Sequence, residues 1–528
     1  MADGSRSSLA EKPQQLGQPG WARWVMPSTT DLIFIALLFA LTFTPLSVRL
    51  LGDAGIGWHI RAGQQILRTH SIPRADAFSS SMQGMPWFAW EWLYDVMAGE
   101  LDSTAGLNGV VWLTAVVIGI VFAWTFRLLI ARGTNLLIAL VLLLLAVSAS
   151  MIHFLARPHV VNWLFTLAWF WILDATEQGG LANHSRLRSR WLWLLPILML
   201  VWVNLHGGFL LGFALLAIYW AGSLWKYLIA SQNRIEESLE KIAAGKRAWS
   251  LVWVGLVSAL ASLLNPYGWK LHIHVYEYLS NRFLMDHIEE FQSPNFHGVA
   301  QRCFLLLLLI TLGVLATAIR QLRLSQLLTV LLAVYTGLYA SRSIPVSSIL
   351  LAVIVGPLLP GLSADFFRRM TTIESRLRGH VWPMIAVLAT FFIAAHGGRV
   401  GPSQWMDAHF DAARMPVGAV DVLDQRGING PILTPDYWGG YIIYRIYPRA
   451  QVVVDDRHDF YGADFFKLYL RMMHVEYGWD EFLHRYKPQC VLVPRESALA
   501  NVLMKTAGWK VIHLDEISIT FAKVASRP

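Results

Sequence analysis

Charge is scarce in this chain: only 15% of its 528 residues are Asp, Glu, Lys or Arg, against 55% hydrophobic residues. So little charge cannot clothe a soluble particle of this size, which excludes an ordinary soluble globule and makes an integral membrane protein the default. Cysteine is nearly absent. Cys303 and Cys490 alone cannot build a disulfide framework or a cysteine metal cluster, and both read as packing residues. Residues 1–30 lack the short apolar core and small-residue cleavage site of a secretory signal, so the apolar run 32–51 is expected to act as an uncleaved anchor. A Gly-rich phosphate loop, a zinc signature and a nucleophile elbow are all missing. The formal charge is +8 and the isoelectric point near 9.4, but the basic residues sit in short connections rather than on one face. That distribution speaks for orientation in a membrane and against a nucleic-acid partner.

What the chain does have is apolar stretches of helix length, at about 31–51, 107–130, 134–155, 159–173, 191–204, 207–230, 249–265, 303–319, 325–341, 343–360 and 381–396. They predict a polytopic α-helical membrane protein with about 11 transmembrane helices. Lys and Arg in short loops resist translocation. With residues 1–30 as a cytoplasmic tail, the inside loops hold Arg132, Arg186/Arg188/Arg190, Lys226/Arg234/Lys241/Lys246/Arg247, Arg320/Arg323 and Arg368/Arg369/Arg376/Arg378. The outside connections hold chiefly Arg157, Lys270, Arg282, Arg302 and Arg342. This orientation makes 31–396 a transmembrane domain with a long first outer loop, 52–106, and puts 397–528 outside. That tail changes to soluble grammar. Short β-type runs at 431–434, 451–454, 490–493, 510–513 and 517–523 alternate with helical stretches near 416–426, 464–486 and 497–507, which predicts a C-terminal extracytoplasmic α/β domain.

Function is expected in the long outer segments 52–106, 266–302 and the tail. The first loop is read as two amphipathic helices, 58–69 and 89–101, rich in interfacial aromatic residues. Asp53 follows the first span directly and is placed to act as a general base, with Trp58, His59 and Arg61 behind it; the plainer reading is a cap for helix 58–69. Glu91, between two tryptophans in WEWL, is either catalytic or paired with Arg61 or Arg74. Asp76 reads as a turn residue. Polar clusters end other spans: Arg157-Pro158-His159, Asn204 to Gly208 with His206, Asn265-Pro266-Tyr267-Gly268, and Arg342-Ser343-Ile344-Pro345. Together they would line a shared cavity; singly, each would serve as a helix terminus. Arg157 and Arg342 are the candidates for gripping a phosphate, if they do not merely snorkel to the interface. In the tail, VVVDDRHDFYG sets Asp455, Asp456, Arg457, His458 and Asp459 past a strand end, as a ligand or metal site or as a salt-bridged loop.

The pieces GDAGIGWHIRAG, IPRADAFS, PWFAWEWL, ARPHV, NLHGG, LNPYG, SRSIP and DYWGGY…VDDRHDFYG run through most of the chain. With the first span, the acid after it and the extracytoplasmic tail, they resemble the bacterial members of the C-type glycosyltransferase superfamily. The likeness is to the protein mannosyltransferase, aminoarabinose transferase and lipopolysaccharide galacturonosyltransferase types. The resemblance implies a bacterial inner-membrane enzyme that takes a sugar, with inversion, from a polyprenyl-phosphate donor among the membrane lipids. The acceptor, a lipid, glycan or protein, stays open. Asp53 matches the superfamily's first-loop base, with Glu91 beside it. Trp58, His59, Arg61, Arg157, His159, His206, Asn265, Tyr267 and Arg342 are expected to bind substrate. Where the superfamily often has a second acid in the next outer loop, this sequence offers Phe154 to His159, and a divalent metal remains an open cofactor. Two rivals stand beside the enzyme: a lipid or solute transporter, and a non-catalytic anchor that displays 397–528 to a partner.

Overall fold

The computed structural model describes residues 22–178, 190–230, 235–360, 365–377 and 379–524. The expectations for the 1–21 part of the N-terminal tail and for Arg186, Arg188, Arg234 and Arg378 lie outside the described residues. Helices occupy all eleven apolar stretches, from Thr29–Phe43 to Val381–Ala395. Ser28 starts the first of them with a capping box, its hydroxyl oxygen accepting from the Asp31 amide while the Asp31 carboxylate accepts from the Ser28 amide at 2.8 Å. Many large apolar side chains on these helices, among them Leu144, Leu309, Leu312, Leu388 and Phe392, point away from the protein, as a lipid-facing surface requires.

Length and composition alone qualify five described helices to cross a membrane: Trp92–Ala131, Leu136–His153, Gly207–Ile229, Val299–Gln321 and Ser341–Leu358. Thr29–Phe43, Leu324–Tyr339 and Val381–Ala395 are shorter apolar helices. This is a coarser result than the eleven spans expected, and the reason is local. Leu194–Trp202 has nine residues, His159–Gln178 ends in Asp174 and Glu177, and the first half of Ile235–Ser262 is charged. The buried Asp174 is satisfied by Arg132 at 2.7 Å, Arg323 at 2.5 Å and the Tyr219 hydroxyl at 3.0 Å, so four helices meet on one carboxylate.

The first loop departs from two separate amphipathic helices. Ile56–Thr69 is present, but the second runs straight into the next span as Trp92–Ala131. Gly106 bends that helix with φ 61°, a left-handed value that a Cβ would make costly.

In the tail, four strands run in the order Ile432–Leu433, Cys490–Pro494, Ser518–Lys523, Trp509–Leu514. The first pair is parallel and the others antiparallel. Cys490 packs inside the sheet, fully buried. The expected strand 451–454 is not a full strand. Val452 bridges both Ile432 and Ser79, so the first loop adds its own backbone to the sheet edge. Helix Asp436–Ile446 was not legible, because DYWGGYIIYRI holds two glycines and several β-branched or aromatic residues. It packs on Ile56–Thr69 where Gly57 and Gly440 meet: a Cβ on Gly57 would lie 2.1 Å from the Gly440 carbonyl.

Candidate active site

Asp53 sits two residues beyond Leu51, where the chain turns from the short helix Leu46–Leu50 into Ile56–Thr69. Its Oδ1 accepts from the Gly55 amide at 2.8 Å and from Arg157 Nη1 at 2.8 Å. The same Nη1 donates to Asp456 Oδ2 at 2.7 Å, and Trp58 Nε1 donates to Asp456 Oδ1 at 2.9 Å. One guanidinium nitrogen therefore joins a carboxylate of the first loop to one of the tail. Burial works against the Arg157 charge, yet Asp53 and Asp456 together hold its pKa well above the usual arginine value. Burial, offset in part by Arg157, raises the Asp456 carboxyl. Gly55 makes room for this junction, since a Cβ there would lie 1.9 Å from Arg157 Nη1 and 2.3 Å from Asp456 Oδ2. Among the described residues Asp53 Oδ2 has no hydrogen-bond partner, and the side chain is 35% exposed.

Behind this junction lies a buried acid–imidazole row. Asp95 Oδ1 and His59 Nδ1 are 2.6 Å apart, His59 Nε2 faces Glu91 at 3.8 Å, and Glu91 faces His206 Nε2 at 3.7 Å. His206 Nδ1 accepts from the Gly208 amide, so Nε2 carries the proton when the ring is neutral. Burial, reinforced by the charge of Arg157, pushes His59 well below the usual histidine range; burial and Arg342 do the same to His206. Burial pushes Glu91 up to about 8, against the pull of Arg157. Glu91 is thus a neutral carboxylic acid at pH 7. An unfolded chain releases this proton near 4.5, so the stability it contributes is complete below pH 4.5 and is lost as pH rises toward 8. Glu91→Gln is expected to remove that decline. Thermal unfolding between pH 5 and 8.5 checks it: parallel curves for variant and wild type would place the carboxyl outside this role.

The other expected residues separate into two groups. His159 donates from Nε2 to the His153 carbonyl at 2.8 Å, close behind the Arg157 loop. Arg342 pairs with Glu290 at 3.0 Å and lies over the Phe291 ring, and burial of Glu290 is outweighed by Arg342, which takes its carboxyl down to about 2. Arg61, by contrast, donates from Nε to the Tyr444 carbonyl at 2.9 Å, and Arg74 donates to the Pro266 carbonyl. Neither pairs with Glu91. Asn265 closes its own turn on Ser262, Gly268 and Tyr267, while the Tyr267 hydroxyl accepts from the Ala89 amide at 2.7 Å. Tyr267 thereby fastens the 266–302 segment to the first loop.

The tail's DDRHD loop is a salt-bridged loop. Arg457 is buried between Asp455 at 2.7 Å and Asp76 at 2.8 Å, over the rings of Trp87, Phe78, Phe460 and Trp58. Asp76 also makes its turn, accepting from the Phe78 and Ser79 amides. Asp459 pairs with His274 and His458 with Asp436. Asp456 reaches Arg157, and this pair, with those of Arg457 to Asp76 and Asp459 to His274, ties the tail to other parts of the chain. Among the described residues no three His, Cys, Asp or Glu side chains are grouped to hold a metal ion, and the acids of this loop are engaged by Arg457, Arg157 and His274, so the metal reading does not fit these residues.

No family model matches the sequence, and no curated protein matches it. Solved structures do match by shape. The archaeal oligosaccharyltransferase AglB from Archaeoglobus fulgidus, in complex with an inhibitory peptide and a dolichol-phosphate, superposes with a TM-score of 0.55 at 10% identity, over 94% of this chain and 74% of that chain. ArnT from Cupriavidus metallidurans in the apo state gives a TM-score of 0.50 at 13% identity, over 94% of this chain and 97% of that chain. At such identities the likeness is one of fold alone: the chain shares its overall fold with these two solved proteins.

Proposed function

We propose that this protein is a membrane glycosyltransferase that moves a sugar, with inversion, from a polyprenyl-phosphate donor to an extracytoplasmic acceptor. The observation that carries the reading is the unengaged Oδ2 of Asp53, partly exposed beside a cation-held junction of loop and tail. Asp53 takes the proton of an acceptor hydroxyl or amine. The acceptor atom bonds to the anomeric carbon as the bond from that carbon to the phosphate oxygen breaks, and polyprenyl phosphate leaves with the electron pair. Arg157 holds Asp53 in position, and Arg342 stands nearest to the role of steadying the departing phosphate. Glu91, neutral, and His206 offer hydrogen bonds to the sugar. The likeness of fold to two membrane glycosyltransferases supports this chemistry.

The same reading places eleven crossings in a bacterial inner membrane, with the N-terminus cytoplasmic and the tail outside. A tail so joined to the first loop argues against a mere displayed module. The test is twofold. A reporter active only outside the cytoplasm is expected to be active when fused at residue 528. Mass spectrometry of a deletion strain is expected to show one polyprenyl-linked sugar accumulating and its surface glycoconjugate lost. An unchanged lipid-linked sugar pool and unchanged surface glycans would overturn the proposal.

A further inference from the structure

A cavity of about 700 Å³ opens between the end of the first apolar helix and the linker into the tail. Its lining includes Gly52, the residue directly before Asp53. The apolar side is made by Phe43, Val48 and Trp405, and the Phe43 and Trp405 rings meet edge to face with centroids 5.9 Å apart. An exposed tryptophan at the end of an apolar helix suits the headgroup level of a membrane.

The polar side has an uncommon feature. Most guanidiniums around the first loop are committed: Arg61 to Tyr444, Arg157 to two acids, Arg342 to Glu290 and Arg457 to two acids. Arg49 and Arg414 both line the cavity, and among the described residues neither guanidinium has a hydrogen bond or a carboxylate partner. Two acids line the same space. Among the described residues Asp407 faces only a histidine, His409, at 3.5 Å, and Asp411 accepts from the Ala413 amide through Oδ1. The cavity thus offers unpaired charge of both signs beside an apolar wall. A plain anion would leave the acids opposed, and a plain cation would leave the arginines opposed. A phosphate that carries a primary amine satisfies both: paired guanidinium hydrogen bonds hold the phosphate, and the carboxylates accept from the ammonium.

We propose that this cavity binds the aminoalkyl phosphate headgroup of a membrane lipid, of the phosphatidylethanolamine class. Its place beside Gly52 makes the bound headgroup the candidate acceptor, and that further step rests on the transfer reading above. Native mass spectrometry of the purified full-length protein tests the binding with short-chain phosphatidylethanolamine as probe. Phosphatidylcholine, phosphatidic acid and free phosphoethanolamine serve as the comparisons. The ethanolamine lipid is expected to bind at least about tenfold more tightly than the other three, because only it combines a phosphate, an ammonium with N–H donors for the carboxylates, and chains that meet the apolar wall. The pair Arg49→Gln and Arg414→Gln is expected to cost at least about tenfold in that binding and leave thermal unfolding unchanged. If the pair fails to fold, Val48→Trp, which fills the cavity and keeps the charges, is expected to give the same loss. Equal binding of the choline lipid or of phosphatidic acid would overturn the proposal, as would undiminished binding by the variants. Equal binding of free phosphoethanolamine would turn the site into one for a soluble ligand and overturn the lipid assignment. Asp53→Asn is expected to bind the probe normally, so a failure of the transfer reading leaves this result standing and can be told apart from it.

Discussion

Asp53→Asn is expected to lower sugar transfer by about 10²–10⁴-fold, the usual cost of losing a general base. Asparagine keeps the shape, and its carbonyl can still accept from the Gly55 amide as Oδ1 does at 2.8 Å. What it loses is proton acceptance at the atom that has no partner among the described residues. The side chain is partly exposed, so the lost contact with Arg157 adds little to stability. The measurement is turnover of a polyprenyl-phosphate sugar by purified variant, alongside its thermal midpoint. Transfer near the wild-type rate in a folded variant would return Asp53 to the role of a turn cap ahead of Ile56–Thr69.

Arg157→Gln is expected to be more damaging, with transfer down by about 10³-fold or more and a thermal midpoint several degrees lower. Glutamine cannot neutralise two carboxylates that approach one nitrogen at 2.8 and 2.7 Å. The partly buried Asp456 is left unpaired, which costs about 3 kcal/mol for a buried ion pair broken on one side. Asp456→Asn in the same chain should restore most of the midpoint, because the stranded charge is gone, without restoring transfer. A double-mutant cycle reads that coupling directly. If the second change restored activity as well, Arg157 would be a counter-ion only and the junction would have no part in the reaction.

The sequence exposed the helices because their signal is local: eleven apolar stretches are enough to place eleven helices, and the tail's β-type runs place most of its sheet. It exposed the individual polar residues for the same reason. It did not expose how they pair. One of the two readings of Glu91 paired it with Arg61 or Arg74, yet Arg61 turns to the tail's Tyr444 carbonyl and Glu91 sits between His59 and His206. Asp456 carried only the signal of a charged loop, and its partner Arg157 lies 299 residues away in the chain. No periodicity reports a contact of that separation. The glycines were the nearest thing to a clue, since GDAGIG and DYWGG press together where Gly55 and Gly57 meet Gly440. Helix Asp436–Ile446 was hidden by those same glycines.

The clasp between loop and tail also bears on how such a chain is made. Synthesis runs from the N-terminus, so the segment with Asp53, Asp76 and the Ser79 edge emerges long before the residues that complete it. Ser80 and Val452, which hydrogen-bond in the finished protein, are 372 residues apart. Until Asp455, Asp456 and Arg457 arrive, Asp76 has no Arg457 and the strand edge stands open, though every helix can already be inserted. The loop–tail clasp therefore closes late in synthesis, and a ribosome that stops short of residue 457 releases a protein without it. Its open edge and bare acids are features that proteases and chaperones can recognise.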